Sequence, residues 1–333
     1  MQDLEAPPSW CKALLRGKMS TVGRTASGVT VWSIEDQIST ATVSDQFRLN
    51  AADYHQRYAA SDHFEGLFCQ ALQATGLSVS AAPTILDLGS GSGVNSVIPC
   101  LRLFPGAKVV ATDLSGELLG LLAEALFIMD AQDQVAPVVM DAMGDHAARN
   151  AFDLVTGAAI LHHLLSPDQG LRAAFRALKP GGTAIFFEPF DGYAMIGLAY
   201  RRILSEGRMR PRPLDSRLEG ALAAISADIT ARTQPDRNDP AFAMMDDKWL
   251  FSQERIVKIS REIGFASVDF VPQNDHVSLY RDTAQVQMRL ATGLDDLQLP
   301  DWAVDILDEF DAALPMATKR RVMLESAIVL TKG

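Results

Sequence analysis

Cysteine is scarce in this chain. Cys11, Cys69 and Cys100 are the only three in 333 residues, and no two of them form a CxxC pair. That excludes a disulfide framework and a zinc knuckle and points to a reducing compartment. Positive charge is also short, with 30 Lys and Arg against 41 Asp and Glu, a net charge of −11. Phosphate backbones need clustered cations, so nucleic acid is not an expected partner. The one dense cationic stretch, Arg201–Arg202 with Arg208, Arg210 and Arg212, lacks the interleaved aromatics of a single-strand binder. Long apolar runs are missing as well. "GTAIFFEPFDGYAMIGLAY" is interrupted by Glu188, Pro189 and Asp191 and cannot cross a bilayer. The opening "MQDLEAPPSW" lacks the basic and apolar regions of a signal peptide. A cytoplasmic protein without a membrane segment is the expectation.

What is present is ordinary globular composition, 48% hydrophobic and 21% charged, in a chain long enough for a large core. Residues 1–45 have no sustained period and read as an irregular arm, with "GVTVWSI" a short strand at most. From residue 84 a rhythm begins. "TILDLG", "KVVATD", "VAPVVMDA", "FDLVTGAAI" and "TAIFFEP" read as buried strands, and helical stretches separate them. Ser115 and Ser166 stand at helix N-cap positions, and Pro99 should kink or shorten the helix it falls in. The rhythm lapses over about 191–248, resumes with "QERIVKISREI" and "FASVDFV", lapses again over about 275–320, and closes on the strand "ESAIVLTK". Alternating strands and helices predict a parallel sheet covered on both faces, one α/β domain over 46–333 with two insertions.

The glycine cluster in "TILDLGSGSG" carries the first chemistry. It follows a strand and opens a helix, and Asp113 closes the next strand twenty residues after Gly93. That spacing places a carboxylate where a ribose diol is gripped. A dinucleotide fingerprint on Gly89 and Gly91 requires glycine at 94, where Val94 stands. The spacing is G-x-G-x-G instead, and Asp87 lies two residues before it. A pyrophosphate disfavours that carboxylate, whereas a cofactor carrying an ammonium or sulfonium welcomes it.

Together, "ILDLGSGSG", "ATDLS", "DA" at 141–142, "FDLVTGAAILHHL" and "RALKPGGTAIFFEP" resemble the successive motifs of class I S-adenosylmethionine-dependent methyltransferases. The resemblance is strongest over 84–189 and covers roughly two-thirds of the chain. It implies a Rossmann-like sheet of seven strands in the order 3-2-1-4-5-7-6, the last antiparallel, with helical lid insertions. It also implies S-adenosyl-L-methionine as cofactor. Gly89, Ser90, Gly91 and Gly93 would approach its methionine part, Asp113 its ribose, with Leu114 against the adenine. Asp141, beside Ala142, would take the adenine amino group, and Ala158 would lie beneath the sulfonium. "AADYHQRY" resembles the N-terminal cap of the family, which makes Tyr54 and Tyr58 further candidates, with ordinary helix packing as the alternative.

Methyl transfer from a sulfonium needs alignment first, and a general base only for a hydroxyl or a protonated amine. His162 and His163, after the fourth strand, and Glu188, ending the fifth and expected to face the cleft, are the catalytic candidates. As neighbours leaving a strand, the two histidines are expected to point in different directions. Asp275–His276 and the acidic pair Asp246–Asp247 are weaker candidates, and no spacing supports a metal. A Met- and aromatic-rich lid suits a small-molecule acceptor, methylated at oxygen. N- or C-methylation, a sugar or glycan acceptor, and a non-catalytic cofactor-binding partner protein remain the alternatives. A homodimer is compatible with the sequence.

Overall fold

The computed structural model describes residues 6–35, 51–52, 55, 63–273, 277–292 and 298–333. In chain order the elements begin with α1 (Ser9–Leu14), β1 (Met19–Arg24), β2 (Thr30–Ile34), α2 (His63–Thr75), β3 (Thr84–Leu88) and α3 (Val97–Leu103). There follow β4 (Lys108–Asp113), α4 (Gly116–Ile128), β5 (Val135–Val139), β6 (Phe152–Ala158), α5 (Pro167–Ala177) and β7 (Leu178–Pro189). Next come α6 (Tyr193–Gly207), α7 (Ser216–Thr233), α8 (Pro240–Met244), α9 (Gln253–Ile263) and β8 (Phe265–Pro272). The chain finishes with α10 (Leu279–Thr292), α11 (Asp301–Ala313), α12 (Met316–Lys319) and β9 (Glu325–Lys332).

Two units divide these elements. The first holds Met1–Glu188, Glu254–Val271 and Ala327–Gly333, and the second holds Pro189–Gln253 and Pro272–Ser326. The first is built on a mixed sheet of order β1-β2-β5-β4-β3-β6-β7-β9-β8. Nine strands replace the expected seven. The two additional ones come from the segment read as an irregular arm. β1 and β2 form an antiparallel hairpin, Met19 opposite Ile34 and Arg24 opposite Thr30, and β2 joins the sheet edge parallel to β5 with Trp32 opposite Val138. β1 escapes a sequence reading because "MSTVGR" is nowhere fully buried and so carries no two-residue apolar alternation. Beyond the hairpin the strands run β5-β4-β3-β6-β7-β9-β8, and β3 is the middle strand of the nine.

The central strands are buried on both faces. Ile85, Leu86, Val109, Val110, Leu154 and Val155 are all within 1% of full burial, as parallel strands under helices must be. α3 starts only at Val97, so Pro99 falls in its first turn, where a missing N–H costs nothing. The helix that holds Pro99 is short, seven residues, as one of the two expected outcomes has it. The Ser115 hydroxyl accepts from Leu118 N at 3.1 Å and caps α4. Ser166 makes no side-chain cap, and Pro167 starts α5. The second unit has its own helical core, with Ile196, Tyr200, Leu222, Tyr280, Met288 and Leu307 buried together. Phe242, Trp249 and Phe251 are packed inside this unit, whereas Met209 and Met244 are exposed. No helix among the described residues is long and apolar enough to cross a membrane.

Candidate functional site

Four parallel strands, β5, β4, β3 and β6, lie side by side and deliver their C-terminal ends to one edge of the first unit. From β3 the chain winds outward to β4 and β5, then returns to β6 on the other side. A crevice opens at such a reversal. The turn after β3 fills it, with Gly89, Gly91 and Gly93 all at positive φ. A Cβ at Gly89 would come within 2.5 Å of Ile160 Cδ1, so the segment after β6 rests directly on the glycine turn. Gly91 differs. A Cβ there would meet only Leu118 Cδ1, at 3.9 Å, and the space before it is otherwise open.

Asp113 ends β4 with its carboxylate half-buried. Oδ2 accepts from Gly91 N and Oδ1 from Ser115 N, both at 2.8 Å. Burial pushes its carboxyl above the usual range, and the backbone N–H groups of Ser115, Gly91 and Leu114 oppose that shift. Each carboxylate oxygen has two lone pairs, so capacity remains for a diol. Leu114 follows, also half-buried. Past β5, Asp141 is 6% exposed and accepts from Met143 N at 2.9 Å, with Ala142 buried beside it. The two serines of the turn behave differently. Ser90 Oγ donates inward to the Asp87 carbonyl at 3.4 Å. Ser92, 2% exposed, has no hydrogen-bond partner for its hydroxyl among the described residues. Sequence reasoning named Ser90 and passed over Ser92, because spacing alone does not say which serine turns inward.

Asp87 is corrected in role. At 1% exposure it presents no carboxylate to a cationic cofactor, and its oxygens point inward, Oδ2 accepting from Ser96 Oγ at 2.7 Å and Oδ1 from Thr156 Oγ1 at 2.6 Å. It ties β3 to β6 and to the start of α3. Burial pushes its carboxyl up to about 6, with Asp113 adding to the shift and the hydroxyl donors opposing it.

β6 ends at Ala158, which is buried, and the next residue is Ala159 at φ +60, the left-handed region that favours glycine. A 3₁₀ turn over Leu161–His163 follows. Glu188 does not face a cleft. It is 2% exposed, and its carboxylate gathers four donors: Ile160 N at 3.0 Å and Leu161 N at 2.7 Å on Oε1, His162 N at 3.2 Å and His162 Nδ1 at 2.6 Å on Oε2. A carboxylate only accepts, so Nδ1 of His162 carries a proton. His162 is buried and His163 half-buried. Their rings do not diverge: the centroids lie 4.1 Å apart at an interplanar angle of 42°. The expected divergence holds for an extended chain, and this turn is too tight for it.

Tyr54, Tyr58, Asp275 and His276 lie outside the described residues. Asp247 is paired with Arg232 at 3.2 Å within the second unit.

Residues 85–182 match the family model described as "Methyltransferase domain", and this segment is a methyltransferase domain. The chain is 32% identical over 124 residues to an uncharacterized Synechococcus protein, covering 37% of this chain and 28% of that one. It is 29% identical over 106 residues to the ubiquinone biosynthesis O-methyltransferase of Pseudomonas putida, covering 32% and 44%. To the demethylmenaquinone methyltransferase of Symbiobacterium thermophilum it is 24% identical over 147 residues, covering 43% and 53%. It thus spans at most about half the length of these relatives. A protein solved in complex with the Trm112 methyltransferase activator of Haloferax volcanii shares the fold. Its TM-score is 0.50 at 18% identity, over 87% of this chain and 99% of that one.

S-adenosylmethionine is the cofactor that the sequence resemblance implies, and the residues present fit it. The open space at Gly91, the unsatisfied Ser92 hydroxyl and the spare capacity on Asp113 suit a ligand with an amino acid part and a sugar diol.

Proposed function

We propose that this protein transfers the methyl group of S-adenosylmethionine to a small-molecule acceptor, at oxygen. The observation that carries the proposal is the Gly91–Asp113 contact at the switch point, 2.8 Å from N to Oδ2, inside the matched domain. When bound, the cofactor supplies a methyl group already activated on a sulfonium. The chain's own work is holding and orienting. Asp113 would accept from the ribose hydroxyls, Gly91 would leave room for the methionine part, Ser92 would hydrogen-bond to it, and Asp141 would accept from the adenine amino group. Leu114 and Ala142 would enclose the adenine, and Ala158 would lie beneath the reacting centre.

Of the three catalytic candidates, His163 is the one we assign as base, being half-exposed. Glu188 and His162 act as positioning residues, because every oxygen of Glu188 is engaged in holding the turn that carries His163. Alignment alone serves an acidic phenol, whereas an aliphatic hydroxyl needs the base. Support for oxygen comes from the Pseudomonas relative, an O-methyltransferase of ubiquinone biosynthesis. The net charge of −11 argues against a nucleic-acid acceptor.

The test is methyl transfer from radiolabelled S-adenosylmethionine to a panel of phenols, aliphatic alcohols and amines, with S-adenosylhomocysteine release measured in parallel. Turnover on hydroxylated acceptors is expected. Turnover confined to amines would overturn the choice of oxygen, and cofactor binding without turnover on any acceptor would favour the non-catalytic alternative.

A further inference from the structure

The cationic stretch that sets this acidic chain apart is largely neutralised within the second unit. Arg201 donates to Ser226 Oγ at 3.2 Å and Thr230 Oγ1 at 3.3 Å. Arg202 pairs with Glu206 at 2.9 Å and Glu309 at 2.7 Å, and Arg208 with Glu219 at 3.6 Å. Arg210 reaches Glu206 at 3.7 Å and lies 4.2 Å over the Trp302 ring. Arg212 is the exception. It has no hydrogen bond or ion pair among the described residues, and Pro211 and Pro213 on either side restrict its backbone.

Arg212 opens onto a groove of about 640 Å³, a volume typical of small-molecule sites. Leu218, 3% exposed, lies at its floor, with Leu214, Trp302 and the two prolines as apolar walls. Gln298, from the other side, likewise has no hydrogen bond among the described residues. Asp215, the one carboxylate among the described lining residues, is occupied. It accepts from Arg217 N at 2.9 Å to cap α7 and meets the Arg217 guanidinium at 3.4 Å. A guanidinium fork with no ion pair among the described residues, an amide and an apolar floor together match an acid group carried on an apolar body, because the planar fork takes a carboxylate or phosphate in bidentate fashion.

We propose that this groove of the second unit binds a small organic anion, a carboxylate or phosphate monoester on an apolar body, with Arg212 holding the acid group. The site is independent of the methyl-transfer reading, and its ligand need not be the acceptor.

Calorimetric titration of the full chain with phenylacetate, phenyl phosphate and neutral 2-phenylethanol tests it. Saturable binding of at least one acid, with Kd below about 1 mM, and at least tenfold weaker binding of the alcohol are expected. The preferred acid distinguishes a carboxylate ligand from a phosphate ester. Arg212→Ala should weaken the acid at least tenfold, and Arg212→Lys should recover part of that loss. Arg208→Ala, outside the groove, should leave binding unchanged. Arg212 is exposed and has no partner among the described residues, so its removal should not disturb folding, and an unchanged Tm checks this. Equal binding of acid and alcohol, or no effect of Arg212→Ala, overturns the proposal. S-adenosylmethionine affinity, measured on the same Arg212→Ala protein, should be unaltered, so failure here leaves the methyltransferase reading standing.

Discussion

Three carboxylates of the first unit, alike in sequence as single acids near strand ends, do three different jobs. Asp113 keeps capacity for a ligand, and its loss should weaken S-adenosylmethionine binding tenfold or more, since hydrogen bonds to a charged acceptor contribute about 1.5–3 kcal/mol. Calorimetry on Asp113→Ala, with folding verified, measures it, and unchanged affinity removes Asp113 from the site. Asp87 is an internal tie whose carboxyl titrates near 6. Because its folded pKa lies above the unfolded value of about 3.9, the native state holds the proton more tightly. Stability from this group is complete below about pH 4 and falls away as pH rises to about 6, by about 3 kcal/mol in all. Asp87→Asn, whose amide can still meet Ser96 and Thr156, should lack that falling limb. Denaturant midpoints of both proteins between pH 4 and 7.5 test this; parallel curves would show that Asp87 does not titrate in the window. Glu188 collects three backbone N–H groups and an imidazole, which no alanine could replace. Glu188→Ala should destabilise by about 3 kcal/mol or more, since buried donors lose their acceptor.

At the scale of elements, the glycine turn separates a packing requirement from a binding one. Gly89→Ala drives a methyl group into Ile160 and should compromise folding. Gly91→Ala has room, so it should cost only the roughly 1–2 kcal/mol of a left-handed alanine while its methyl group intrudes on the cofactor. A folded Gly91→Ala protein with S-adenosylmethionine affinity reduced at least tenfold is the expected outcome, and wild-type affinity would move the cofactor elsewhere. The turn itself was legible because glycine spacing, the strand before it and Asp113 after it are all local signals. So were β3, β4 and β6, whose apolar runs lie between clear turn residues. β1 was not, because an exposed edge strand has no apolar face to mark it. Neither was the role of Glu188, which depends on a loop nearly thirty residues earlier in the chain. Ala159 at φ +60 also leaves no trace in sequence.

For the molecule as a whole, every residue assigned to the cofactor lies in the first unit. Ligand binding to the native state alone stabilises by about 2.7 kcal/mol at a hundredfold excess over Kd. S-adenosylmethionine should therefore raise Tm by about 5 °C or more, and NAD should not. Hydrogen exchange with the cofactor bound should slow at residues 89–93, 113–115 and 141–143. Protection confined to the second unit would contradict the site.

The second unit is made of two stretches, and both are closed at their ends. Phe190 forms a bridge with Phe251 just after the chain leaves the first unit and just before it returns. Gln273 N donates to Glu325 O at 3.1 Å at the other pair of crossings. Ends held this close can be cut out and rejoined by a short link, as domain insertions generally require. Because the two stretches share one buried core, they form a cassette together rather than singly. The sheet order of the first unit does not depend on what fills the chain between these crossings.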